Sequence, residues 1–315
     1  MEIRQLKTFR TVAQMLSFKQ AAEYLHYAQS SISAQIQALE EELGVQLFDR
    51  LGRGILLTEA GVSLLNYAKK ILDLADETRT EVSAAKELKG SLTIKVPETF
   101  GVHRLPQVIK QFRSRYPKVR LHFTTCTHEG LQKDLRKGVT DLAFLLTESF
   151  HAADLEAEGL GIETLILVTH PDHPLVKQSV VHTKDLKGET LLFSKVDCSY
   201  RRTVEAAFNM EKFRYDNTLE FNSVEAIKQC VMAGVGISIL PEITVAKDIS
   251  KGRLAALSWD VGTLEVAELM IWYKDRWLSP TLSAFMETAR SVLKKAYNFN
   301  KNHPIPQMGD VFYPK

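Results

Sequence analysis

The chain has 315 residues, 45 % of them hydrophobic and 25 % charged, with a formal net charge of +2, which suits two or three globular domains and gives nucleic-acid binding no support from bulk charge. No window approaches the ~18 uncharged apolar residues of a membrane span. The N-terminus lacks the apolar core of a signal peptide, so a cytoplasmic location is expected. Cys126, Cys198 and Cys230 are too few and too scattered for a disulfide framework or a zinc site, so neither metal nor cofactor is expected.

The first sixty residues predict three short helices. Ile3, Leu6, Phe9, Val12, Ala13 and Leu16 recur at spacings of three and four. Ser17 is positioned to cap a second helix, which buries Phe18, Ala21, Ala22 and Leu25. After the turn "HYAQ" a third runs from about Ser30 to Leu43 with Ile32, Ile36, Leu39 and Leu43 as its buried stripe, and Gly44 stops it. Two short helices joined by a tight turn make a helix-turn-helix. In "AQSSISAQIQ", Gln29 starts the edge and Ser30, Ser31, Ser33, Gln35 and Gln37 lie off the stripe. Short neutral side chains that donate and accept can read base edges in a major groove. The competing reading of this face, a solvated surface, weakens once two correctly spaced helices precede it.

Two short strands, Leu47–Phe48 and Ile55–Leu57, flank "DRLGRG", from which Arg50 and Arg53 project. A basic hairpin beside a recognition helix is a wing suited to phosphate or minor-groove contact.

Residues 59–88 hold no proline and, after Gly61, no glycine. Thr58 is placed to cap this stretch, and Leu64, Ala68, Ile71, Ala75, Thr78, Val82 and Ala85 alternate steps of four and three, a heptad seam that calls for a partner helix. A dimer is expected; the alternative is a helix packed on its own domain.

Beyond Gly90, strands and helices alternate in a parallel α/β pattern: "SLTIKV", "VRLHFTT" and "DLAFLL" in one unit, "TLLFS", "TLEFN" and "GISILP" in a second, with "ELMIWYK" and the last helix returning to the first. Ligands of such sheets sit at the carboxyl ends of strands. Those ends deliver Thr99, Phe100, Thr127, His128 and Thr147 from the first unit, and Lys195, Cys198, Ser199, Tyr200, Arg201, Asn222 and Ser223 from the second. Ser199 and Ser223 each precede a helix, where free N–H groups favour an anion, although such serines also serve simply as caps. With His128, Lys195 and Arg201 nearby, a small carboxylate or similar anion is the expected ligand. An enzyme is disfavoured: the chain has no phosphate loop, GxGxxG turn, HExxH or GxSxG elbow.

The ordered run "LKTFRTVAQMLSFKQAAEYLHYAQSSISAQIQALEEELGVQLFDR" followed by "GRGILLTEAG" closely resembles the winged helix-turn-helix of LysR-type transcriptional regulators. Ala34 stands where many members have arginine, and Ser30 where proline is common. The resemblance extends to about residue 295. It implies a winged helix-turn-helix over 1–58, a dimerisation linker helix over 59–89, and an effector-binding domain over 90–300 similar to periplasmic binding proteins. In that domain subdomain I is about 90–162 with 268–300, and subdomain II about 163–267; 301–315 form a tail. It implies promoter DNA, a small-molecule effector and the chain itself, as homodimer or homotetramer, as partners. Cys198 resembles in position the reactive cysteine of the family's peroxide sensor, which leaves a redox-sensing regulator as an alternative.

Overall fold

A computed structural model describes residues 1–51, 54–82, 88–125, 130–147, 150, 152–195 and 200–300. They fall into two compact units. The first is Met1–Gly90 with the short pieces Lys137–Val139 and Leu278–Thr281; the second holds the rest.

The first unit opens with α1 (Ile3–Met15), α2 (Phe18–Leu25) and α3 (Gln29–Leu43). Ser17 caps α2, its hydroxyl accepting from Gln20 N at 3.3 Å. Gly44, at φ +68°, ends α3 in the left-handed region where a side chain would be strained. Leu6, Phe9 and Val12 of α1 meet Ala21 and Ala22 of α2 and Ile32, Ile36 and Leu39 of α3 in one core. Strands β1 (Phe48–Leu51) and β2 (Gly54–Leu57) pair antiparallel, with Phe48 opposite Leu57 and Arg50 opposite Ile55. Both strands are longer than the sequence reading gave. Arg50 therefore belongs to the ladder and not to the turn, because the hairpin connection is only two residues long.

Helix α4 (Glu59–Val82) follows. Thr58 caps it as expected, its hydroxyl accepting from Gly61 N at 2.9 Å and donating to Gln46 O at 2.7 Å. A Cβ at Gly61 would lie 2.1 Å from Leu47 O, so only glycine lets α4 begin here. The sequence seam divides. Ala68 is fully buried with Leu72 in the unit's own core, and Leu64, Leu65 and Ile71 pack on that core. The first half of the seam thus faces inward, while Tyr67, 61 % exposed, and Leu74, 54 % exposed, are its large outward apolar side chains.

The second unit is built on one mixed sheet: β3 (Gly90–Val96), β4 (Val119–Thr125), β5 (Leu142–Thr147), β6 (Leu155–Thr169), β7 (Leu191–Ser194), β8 (Thr218–Phe221), β9 (Ile237–Pro241), β10 (Ala255–Leu257) and β11 (Leu264–Tyr273). The order is β4-β3-β5-β11-β6-β9-β7-β8, with β10 beside β6. Two parallel groups emerge: β3 with β5, and β7 with β8 and β9. Strands β6 and β11 join them. They pair antiparallel from Leu155↔Tyr273 to Leu165↔Leu264, with a register shift at Glu268/Leu269. β11 also pairs β5, and the far end of β6 pairs β9 and β10. This makes two α/β subdomains tied by two crossing strands.

Helices α5 (Glu98–His103), α6 (Leu105–Arg115), α7 (Leu131–Lys137) and α11 (Pro280–Asn300) accompany the first group, and α8 (Arg201–Met210), α9 (Val224–Met232) and α10 (Glu242–Ser250) the second. The first subdomain packs Phe100 on Phe144, ring centroids 4.3 Å apart, and Phe112 on Phe285. The second gathers Phe193, Phe208, Tyr215 and Trp259.

Candidate functional sites

Helix α3 presents Gln29, Ser30, Ala34, Gln37 and Ala38 to solvent, with Ser31 and Ser33 half-buried beside them. These positions repeat every three to four residues, so they share one face. Gln35 does not join it. Its Oε1 accepts from Thr8 Oγ1 of α1 at 2.8 Å, which holds the carboxamide against the neighbouring helix. Gln37 donates to Glu41 Oε1 at 2.9 Å along the exposed flank. The acidic run after it is partly structural: Glu40 Oε1 accepts from Leu47 N at 2.7 Å and fixes the approach to the hairpin. Arg53 lies outside the described residues, and Arg50 is described by its backbone alone. The turn adds what sequence reasoning passed over. Tyr27 is exposed, as is Tyr24 near the end of α2, and Tyr27 stands two residues before Gln29. An aromatic in so short a turn was the available signal.

In the second unit, four predicted ligand residues, Thr127, His128, Cys198 and Ser199, lie outside the described residues, as does Cys126. Thr99 on α5 and Thr147 at the end of β5 are both buried. Lys195, just past β7, and Asn222, just past β8, are exposed. Cys230, on α9, packs partly buried against the core.

Three of the expected contacts are packed into the core. Phe100 is a core residue, stacked on Phe144, because α5 turns it into the first subdomain. Tyr200 is buried in the core of the second subdomain. Arg201, only 3 % exposed, is consumed internally. Its Nε donates to Glu205 at 2.7 Å and its Nη1 to Ser194 O at 3.0 Å, and its guanidinium lies 3.9 Å from the centroid of Phe193. A buried guanidinium needs such partners, and these leave it no surface for a ligand.

Ser223 is both a cap and an anion partner, but the anion belongs to the chain. Its hydroxyl accepts from Ala226 N at 3.3 Å and donates to Glu98 Oε1 at 2.8 Å, while Val224 N donates to Glu98 Oε2 at 2.7 Å. The free N–H groups and the dipole at the start of α9 favour a carboxylate, and α5 delivers one from the other subdomain.

Immediately after α5, Arg104 donates from Nε to Glu268 at 2.8 Å and from Nη2 to Glu163 at 3.1 Å. These glutamates sit on the two crossing strands. Glu163 also accepts from Ile243 N, at the start of α10, at 3.0 Å. Burial pushes the Glu163 carboxyl up to about 7. His103 is held below its usual range by desolvation and by Lys228 and Arg104. Sequence reasoning missed this cluster, although a glutamate inside each of two apolar strands, "GLGIETLILVT" and "LEVAELMIWY", was its mark.

Two family descriptions match the chain: "Bacterial regulatory helix-turn-helix protein, lysR family" over residues 3–62 and "LysR substrate binding domain" over residues 85–294. The HTH-type transcriptional regulator YwqM of Bacillus subtilis (strain 168) is 41 % identical over 295 residues, covering 93 % of this chain and 100 % of that one. The regulator GltR of the same organism is 34 % identical over 291 residues, covering 92 % and 96 %. Among solved structures, a full-length OxyR variant from Pseudomonas aeruginosa superposes with a TM-score of 0.73 at 25 % identity, covering 93 % and 95 %. Full-length CbnR complexed with its target DNA gives 0.62 at 28 % identity, covering 93 % and 100 %.

Proposed function

We propose, for a chain that belongs to the LysR family of bacterial helix-turn-helix transcriptional regulators, a division of labour among the residues described above. The chain is a DNA-binding transcriptional regulator with an effector-binding domain, and its partners are promoter DNA, an effector and further copies of itself. Among the described residues no helix is long and apolar enough to cross a membrane.

Base reading falls to Gln29, Ser30 and Gln37, which α3 exposes, with half-buried Ser33 beside them. Arg50 and Arg53 of the wing take phosphates, where charge serves affinity and carries little sequence information. Self-association uses the outward side of α4 around Tyr67 and Leu74, since the inward side is filled by the unit's own core.

The effector is a small anion held between the two subdomains by Thr99 and Thr147 on one side and Lys195 and Asn222 on the other, with Thr127, His128, Cys198 and Ser199 as further candidate contacts. The observation that carries this reading is the carboxylate of Glu98, which already bridges the subdomains on Ser223 and Val224. The start of α9 thus holds a carboxylate on a free helix N–H group, the chemistry an anionic effector would use.

A thermal-shift screen of small carboxylates and phosphates tests the reading, because binding to the native state raises apparent stability. Thr99→Val should lose the shift given by the active compound and leave operator affinity without it unchanged. A compound that shifts both proteins equally would place the effector elsewhere.

A further inference from the structure

The cluster behind α5 has an unbalanced charge. Two carboxylates, Glu163 and Glu268, each about 4 % exposed, share one guanidinium, that of Arg104. Glu242, an exposed residue next along from the Ile243 amide that Glu163 holds, adds a smaller repulsion to Glu163. A buried carboxylate without a full countercharge either takes a proton or regains water. The cluster also ties the two subdomains to the crossing strands. Arg104 follows α5 of subdomain I, Glu163 and Glu268 lie on the crossing strands, and Ile243 begins α10 of subdomain II.

Glu163 can recover water only if α5, α10 and the crossing strands separate. We infer that closing subdomain I on subdomain II takes up a proton at Glu163, so that the arrangement of the effector-binding domain is linked to pH. With Glu163 neutral, Arg104 pairs fully with Glu268 and the closed arrangement holds. With Glu163 ionised, the surplus negative charge favours the looser, hydrated arrangement. Linkage is reciprocal, so any ligand that closes the domain also draws in a proton. This inference concerns the hinge and stands whether or not the effector is an anion.

The full chain tests it. Donor and acceptor dyes attached through non-natural amino acids at exposed Ser114 of α6 and Met210 of α8 report the distance between subdomains, with labelled chain diluted into unlabelled chain. The expected result is a transfer efficiency that falls as pH rises from about 5.5 to about 8.5, with a midpoint near neutrality. Glu163→Gln should hold the low-pH value throughout. Glu268→Gln removes the competing charge, makes Glu163 easier to ionise, and should move the midpoint down. His103→Asn removes the neighbouring imidazole, which desolvation holds below its usual range, and should leave the midpoint in place. A flat wild-type profile, a Glu163→Gln variant that titrates like wild type, or a transition abolished by His103→Asn would each overturn the inference.

Discussion

Glu98 Oε1 and Ser223 Oγ lie 2.8 Å apart, although 125 residues separate them in the chain, and the other oxygen of the same carboxylate holds the first amide of α9. One side chain therefore closes both a helix terminus and the gap between two subdomains. Hydrogen bonds to a charged group are worth about 1.5–3 kcal/mol each. Glu98→Ala should expose the Val224 amide, and its hydrogen exchange should quicken by about ten-fold or more. Unchanged protection at Val224 would mean that the contact does not persist in solution.

The two sides of α4 should respond differently to the same charge. Ile71→Asp puts a carboxylate against the unit's own core and should cost about 2–4 kcal/mol of stability. Tyr67→Asp with Leu74→Asp should leave the fold intact and shift the protein to monomers. Sedimentation with thermal denaturation separates these outcomes; a doubly substituted chain that stays oligomeric would show that this side is not the contact.

On α3, Gln35→Ala should lower stability by about 1 kcal/mol through the lost bond to Thr8 and leave sequence discrimination unchanged. Gln29→Ala should do the reverse, with about 1–3 kcal/mol of discrimination lost at one base pair. Titrations against operator and random duplexes decide between them.

Arg201→Lys tests whether that cation is structural. Lysine has no planar fork and cannot satisfy Glu205 and Ser194 O while lying over Phe193. A loss of about 2 kcal/mol or more is expected, visible as a lower denaturation midpoint without any ligand.

Glu163 also makes a stability prediction. Its folded value, about 7, lies above the ordinary 4.5. The folded state therefore binds more protons than the unfolded one between those values, and stability falls as pH rises through that window. The full cost, about 3 kcal/mol, is present above neutrality. Glu163→Gln should flatten this part of the curve and gain stability at pH 8 relative to wild type. Parallel denaturant curves for both proteins at several pH values would sink the prediction if the two keep a constant offset.

The helix-turn-helix was readable in the sequence because its signals are local: Leu6, Phe9 and Val12 repeat with the helical period, and Ser17 and Gly44 mark helix ends. The α/β plan was readable for the same reason. The partners at strand ends were not. Arg201 and Phe100 stood where ligands bind, but whether a side chain turns inward depends on residues such as Glu205 and Phe144 that the strand-end rule ignores. Arg104 and Glu268 are 164 positions apart, so no window contains both. On α4 the heptad spacing was real, but a 3.6-residue helix drifts against a 3.5 repeat, and the buried row shifts from Ala68 to Leu72.

Gly61 has a mechanical meaning. The start of α4 sits against Leu47 O, and Thr58 stitches that turn to Gln46 O. Glu40, on the recognition helix, holds the Leu47 amide from the other side. Among the described residues, α3 and the 24-residue α4 are thus tied to the same short segment, Gln46–Leu47. The helix acts as a lever arm about 36 Å long, and a tilt of roughly 10° at one end sweeps the other through about 6 Å, close to two base-pair steps of 3.4 Å. A modest rotation far from the DNA would arrive there as a change of register.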